Sequence, residues 1–156
     1  MIIRNRKKLQ EIVEQLRKNG QTIVFTNGCF DLLHKGHVIY LEEAKKFGDV
    51  LIVGINTDES IKSLKGSERP IMHLESRARV LDSLKSVDIV VPFSEVLPNN
   101  IIEIVKPNVH IKGGDYRVDD LPEAKLVKSF GGIVKIVSLV PGFSVTSIIE
   151  RIKNRK

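Results

Sequence analysis

The residues best suited to do chemistry in this 156-residue chain fall in one run, Thr26-Asn27-Gly28-Cys29-Phe30-Asp31-Leu32-Leu33-His34-Lys35-Gly36-His37. His34 and His37 are three apart, so at the entrance to a helix both imidazoles meet one ligand at its positive end. Gly36 removes the side chain that would crowd the space between them. Asn27-Gly28 is a turn dipeptide that lets backbone approach a ligand closely, and the amides of Cys29 and Phe30 then point outward as anion donors. Amide donors, two neutral or cationic imidazoles and a helix dipole suit a polyphosphate. Two histidines at this spacing also suit a divalent metal, but a buried site normally needs a third or fourth ligand. Asp31 is available for that, or equally for a turn or helix cap. The chain has no G-x-G-x-x-G after its first strand and no G-x-x-x-x-G-K-[ST] anywhere, so dinucleotide oxidoreductases and P-loop kinases lose support.

Smaller signals follow. Asn56-Thr57-Asp58 could reach substrate hydroxyls, or supply ordinary turn and cap chemistry. The loop Lys62-Ser63-Leu64-Lys65-Gly66-Ser67-Glu68-Arg69-Pro70 is basic, and its place after a strand makes Lys65 and Arg69 phosphate partners as well as solvated surface. A lid that orders on substrate is one reading of it. In Lys112-Gly113-Gly114-Asp115-Tyr116 the paired glycines permit close backbone approach, and Asp115 could bond a ribose hydroxyl; a simple loop turn is the alternative. Gly142-Phe143-Ser144-Val145-Thr146-Ser147 offers amides and hydroxyls for phosphates, or a helix cap. His73 and His110 lack companions and read as structural.

These groups need a scaffold, and the hydrophobic pattern provides one. Apolar runs at 22–26, 50–55, 87–91, 109–111 and 133–137 read as strands buried on both faces. Helical period appears over about 7–16, 36–47, 74–84, 98–106, 120–130 and 146–153, the last with capping-box spacing at Ser147-Ile148-Ile149-Glu150. Alternating strands and helices predict an α/β, Rossmann-like single domain, a five-stranded mainly parallel sheet with helices on both faces. Such sheets bind ligands beyond the carboxyl ends of their strands, where the strand order switches. The chemistry is therefore expected at 26–37, 56–70, 112–117 and 138–147.

Composition narrows the class. Hydrophobic residues are 42% and charged residues 28%, enough for a real core and no case for disorder. The net charge of +6, with pI about 9.5, favours an anionic partner. One cysteine excludes an internal disulfide framework and any multi-cysteine metal site. No apolar stretch suits a membrane span or signal peptide, so no membrane partner is expected and a cytoplasmic location is. Aromatics are 5%, and neither a stacking platform nor a helix-turn-helix appears, so no nucleic-acid partner is expected.

The run from Thr26 to His37 resembles the signature of the nucleotidyltransferases that use a His-x-Gly-His motif, including cytidylyltransferases and phosphopantetheine adenylyltransferase. Thr26-Asn27-Gly28-Cys29-Phe30-Asp31, Leu64-Lys65-Gly66 with Arg69-Pro70, and Ile111-Lys112-Gly113-Gly114-Asp115-Tyr116 are closer to the heptose 1-phosphate adenylyltransferase branch, from about residue 20 to the C-terminus. The resemblance implies a nucleotidyltransferase domain over 21–156, behind the N-terminal helix read over 1–20, in stand-alone form without the sugar kinase often fused to it. It implies transfer of AMP from ATP to D-glycero-β-D-manno-heptose 1-phosphate, with Mg²⁺ accompanying ATP and release of pyrophosphate. His34, His37 and Lys65 would be catalytic. Asn27, Gly28, Cys29, Phe30, Gly36, Lys112, Gly113, Asp115, Ser144 and Thr146 would hold nucleotide, and Asn56, Asp58 and Arg69 the sugar phosphate. The family commonly has Ser-Thr-Thr where this chain has Ser144-Val145-Thr146, one hydroxyl fewer. A homodimer is implied by analogy, with the helix around Arg77 and Arg79 a possible contact. Alternatives are a cytidylyltransferase acting on glycerol 3-phosphate or a similar phosphoester, and a homologue that binds nucleotide without catalysis.

Overall fold

The computed structural model of the chain describes residues 1–138 and 140–154. Five strands form one sheet: β1 (Ile23–Gly28), β2 (Val50–Asn56), β3 (Ile89–Phe93), β4 (Val109–Gly113) and β5 (Ile133–Val137). Between and around them lie α1 (Arg6–Lys18), α2 (Lys35–Lys45), α3 (Asp58–Lys65), α4 (Leu74–Asp82), α5 (Asn99–Val105), α6 (Ala124–Ser129) and α7 (Val145–Lys153). Every pairing is parallel, in the order β3-β2-β1-β4-β5. The expected fold is borne out, and the sheet is wholly rather than mainly parallel.

Side chains alternate across the central strands, as the two-residue period demands. Ile23, Phe25 and Ile52 enter one core with Leu9 and Val13 of α1, Ile101, Ile102 and Val105 of α5, and Val127 of α6. Val24, Leu51, Val53 and Ile55 enter the other with Tyr40, Leu41 and Ala44 of α2 and Ala78 and Leu81 of α4. The N-terminal helix α1 packs into the first of these cores through Leu9 and Val13. It starts on Asn5, whose side chain accepts from the Lys8 amide, and ends on Arg17 and Lys18, the charge order a helix dipole favours. Residues before it run beside β3, where Ile2 bridges Val90.

Three expectations need correction. Residues 62–65, read as the start of a basic loop, are the last turn of α3 (Asp58–Lys65), which is capped by the Thr57 hydroxyl accepting from the Ser60 amide. The third strand lies two residues later than expected. The last helix is capped not by Ser147 but by Ser144, whose hydroxyl accepts from the Ser147 amide.

The chain passes from β1 outward to β3, then returns to β4 on β1's other side. The switch in strand order thus falls between β1 and β4. Their carboxyl ends, Asn27-Gly28 and Lys112-Gly113, open a crevice there.

Candidate active site

That crevice is a cavity of about 630 Å³, a size usual for small-molecule sites. Its central feature is the start of α2. His34 is the N-cap, with extended backbone, and its Nδ1 accepts from the Gly36 amide at 3.1 Å. The His34 amide in turn donates to Nδ1 of His37 at 3.3 Å. A ring nitrogen that accepts carries no proton, so each neutral imidazole keeps its hydrogen on Nε2. The rings stack with centroids 4.0 Å apart, and both line the cavity. Burial, then the neighbouring His34 and Lys65, pushes His37 down to about 4; burial also lowers His34. Of the two charge states the sequence left open, the neutral one prevails: the pair is two neutral N–H donors. A Cβ on Gly36 would lie 3.0 Å from both His34 Cε1 and Phe143 Cβ, so the glycine is required for closeness to both.

The loop entering α2 is strained and heavily anchored. Phe30 and Leu32 adopt positive φ of 47° and 45°, unusual for bulky side chains. Between them Asp31 is buried, and it is neither metal ligand nor helix cap. Its carboxylate accepts from Arg69 Nε at 3.0 Å, from the Ile71 amide at 2.8 Å and from the Met72 amide at 2.9 Å. A second strut lies below. Arg77, fully buried, donates to the Cys29 carbonyl at 2.6 Å, the Met72 carbonyl at 2.8 Å and Asp58 Oδ1 at 2.6 Å. Together these bonds lock the histidine loop to residues 69–72, and through them to α3 and Lys65. Burial would raise the Asp58 carboxyl, but the Arg77 hydrogen bond and charge hold it below the ordinary range.

Among the described residues three lysine and arginine side chains line the cavity, in different states. Arg69 is committed to Asp31 at 2.9 Å, and Lys112 to buried Glu123 at 2.7 Å. Lys65, at the C-terminal end of α3, is exposed and has no carboxylate partner among the described residues. The far wall is Phe143, Ser144 and Val145 at the start of α7.

The structure brings together most of the residues read from sequence: Asn27, Gly28, Cys29, Phe30, His34, Gly36, His37, Lys65, Arg69, Lys112, Gly113 and Ser144 all line the cavity. Asp115 and Thr146 lie outside that lining. Asn56 and Asp58, expected to face substrate, are turned into the fold: Asn56 is buried and donates to Ser60 Oγ at 3.0 Å, and Asp58 takes the Arg77 guanidinium. Arg77 is likewise no subunit contact, being buried in its own chain. His110, read as companionless, stacks on Phe25 and lies 3.4 Å from Glu123. Sequence reasoning missed Tyr40, whose hydroxyl meets Thr26 Oγ1 at 2.7 Å, and Glu123. Neither carries a motif signal; only the tertiary pairing reveals them. Among the described residues no group of three His, Cys, Asp or Glu is placed to hold a metal, and no helix is long and apolar enough to cross a membrane.

The family model described as cytidylyltransferase-like matches residues 25–151, most of the chain and the whole of this site. The chain belongs to the cytidylyltransferase-like family. Within reach of this family domain are curated relatives of high identity. The bifunctional protein HldE of Syntrophotalea carbinolica is 47% identical over 153 residues, covering 98% of this chain and 31% of that protein. The HldE of Koribacter versatilis is 51% identical over 146 residues, covering 94% of this chain and 30% of its own length. The chain thus spans about a third of the relatives it matches. Among solved structures, the lipopolysaccharide core biosynthesis protein of Thermoplasma volcanium superposes with a TM-score of 0.62 at 33% identity, over 78% of this chain and 98% of that one. The pantoate-beta-alanine ligase of Francisella tularensis reaches a TM-score of 0.62 at 18% identity, over 98% of this chain and 77% of that one, a likeness of fold. The resemblance read from the His-x-Gly-His segment is borne out at the level of family and of HldE-type relatives.

Proposed function

We propose that this cytidylyltransferase-like domain transfers AMP from ATP to D-glycero-β-D-manno-heptose 1-phosphate, giving ADP-heptose and pyrophosphate. The observation that carries the reading is the state of the histidine pair, two Nε2–H donors fixed by the backbone beside Lys65, which has no carboxylate partner among the described residues. The likeness to a solved lipopolysaccharide core biosynthesis protein at 33% identity, beside the similarity to HldE proteins, supports the sugar branch.

A phosphate monoester has its second pKa near about 6, so at neutral pH the attacking oxygen is already ionised. No general base is needed, which suits a site whose histidines are neutral donors. What the protein must supply is alignment and cancellation of charge as two anions meet at the α-phosphorus. His34 and His37 donate to the α and β phosphates, while Lys65 guides the tail. Asp31 is taken up by Arg69 and two amides, and among the described residues the cavity has no carboxylate cluster for a divalent ion. Mg²⁺ would enter with the triphosphate rather than in a side-chain cage, and would supply neutralisation of phosphate charge.

Purified protein incubated with a panel of sugar 1-phosphates and glycerol 3-phosphate, with ATP and CTP in turn, tests this. Pyrophosphate release with a nucleoside diphosphate sugar by mass spectrometry, for ATP and heptose 1-phosphate, is the expected result. Turnover confined to CTP and glycerol 3-phosphate would replace it with the cytidylyltransferase reading.

A further inference from the structure

Behind the phosphate-facing wall lies a chain of polar contacts the mechanism above does not use. Glu123 sits at the start of α6 with its side chain buried, and its Oε1 receives Lys112 Nζ at 2.7 Å and faces His110 Nε2 at 3.4 Å. Lys112 Nζ also donates to Asn27 Oδ1 at 3.2 Å. A lysine has donors only, so the Asn27 carboxamide must turn its oxygen to Lys112 and present its NH₂ elsewhere. Asn27 lines the cavity, and that NH₂ is what it has left for a ligand.

We propose that Glu123 is a positioning residue: acting through Lys112, it fixes the Asn27 carboxamide as a neutral donor toward an acceptor oxygen of the bound phosphoryl substrate. The proposal rests on the phosphoryl-transfer reading of the cavity. Lys112 would otherwise count as a cation for the triphosphate. With its charge met by Glu123, it is a fixed strut, and Lys65 alone of the three lining cations stays uncommitted among the described residues. Two further facts favour a held geometry. Glu123 and His110 are both buried, and His110 is clamped against the Phe25 ring at 5.6 Å. Burial would raise the Glu123 carboxyl, yet hydrogen bonds from His110 and Lys112 draw it down to about 2, so it stays charged beside its lysine.

The test uses the full chain and the variants Glu123→Gln, Lys112→Met and the double variant, with two readouts. The first is the side-chain amide signal of Asn27 in the ligand-free protein by NMR, identified by its loss in Asn27→Asp. The second is kcat and KM for the ATP reaction. Each single variant is expected to shift the Asn27 signal and to lower kcat/KM about ten- to hundredfold. The double variant is expected to be no worse than the more damaged single one, because both break the same link. Should Glu123→Gln fail to fold, the double variant, which leaves no lone buried charge, must still reproduce the Lys112→Met shift and loss. An unchanged Asn27 signal in Glu123→Gln, or losses that multiply in the double variant, would overturn the proposal. If the unaltered protein transfers no nucleotidyl group at all, the functional reading fails, and the Asn27 signal alone decides whether Glu123 positions it.

Discussion

The His34 amide donates to Nδ1 of His37 across 3.3 Å, and His34 itself accepts from Gly36, so the cap that begins α2 is built from the two rings that face the cavity. Starting the helix and orienting the donors are one structural act. Any change to either ring therefore has a small structural and a large chemical consequence.

His37→Ala separates the two. Loss of one cap partner costs about 0.5–2 kcal/mol. Loss of a donor aimed at developing charge costs about 10²–10³ in rate. Urea denaturation and kcat measured on the same preparation should show a folded protein with activity reduced on that scale; near-normal turnover would remove His37 from the mechanism.

Acid should act on His37 through its depressed pKa. Folded His37 gives up its proton down to about 4, whereas an unfolded histidine holds it up to 6.5. Between those values the unfolded chain binds more protons, so this residue makes stability rise with pH across the window and fall on acidification. An NMR titration of the His37 ring should show no protonation from pH 8 to 6 in the free protein, and a rise in its pKa when a triphosphate binds.

Asp31→Asn tests the anchor of the loop. The carboxylate is buried and accepts from a guanidinium and two amides. An amide cannot accept at both ends, and Arg69 loses its counter-charge. Breaking a buried pair from one side costs about 3–5 kcal/mol. Chemical denaturation should report a loss on that order, with KM for both substrates raised because residues 69–72 no longer hold their place.

Gly36→Ala should be kinetic rather than thermodynamic. Alanine favours a helix over glycine by about 1 kcal/mol, which offsets part of the crowding. The new Cβ would press on His34 and Phe143 at 3.0 Å, tilting a ring whose aim matters. A thermal midpoint within a few degrees of the unaltered protein and a kcat reduced about tenfold or more are expected.

Lys65→Ala should leave stability unchanged, since the side chain is exposed and without a carboxylate partner among the described residues. KM for the triphosphate should rise about tenfold at low salt, and the gap should narrow as salt screens the lysine in the unaltered protein. A salt-independent gap would mean that Lys65 acts by shape, not charge.

What the sequence made legible was whatever repeats locally. Leu9 and Val13 sit a helical turn apart, Val50 to Asn56 is apolar enough to be buried throughout, and His34, Gly36 and His37 are neighbours in the chain. These required no knowledge of partners 50 residues away. Asp31, Asp58 and Arg77 are different. Whether a carboxylate meets substrate or a guanidinium depends on what folding brings to it, and Asp58 meets Arg77, 19 residues on. The same holds for Glu123, whose surroundings are two residues of β4. The helical period of α3 was masked by its lysines, which in isolation read as a solvated loop.

The strand bearing Asn27 and Gly28 has parallel neighbours on both flanks, while α7, whose first turn forms the opposite wall, buries none of its described residues. Such unequal anchoring predicts that the two jaws of the crevice open as different cooperative units. Amide exchange should be slowest at the floor and fast along the C-terminal wall. On warming, ligand capture should then fade while the sheet's circular-dichroism signal is still intact.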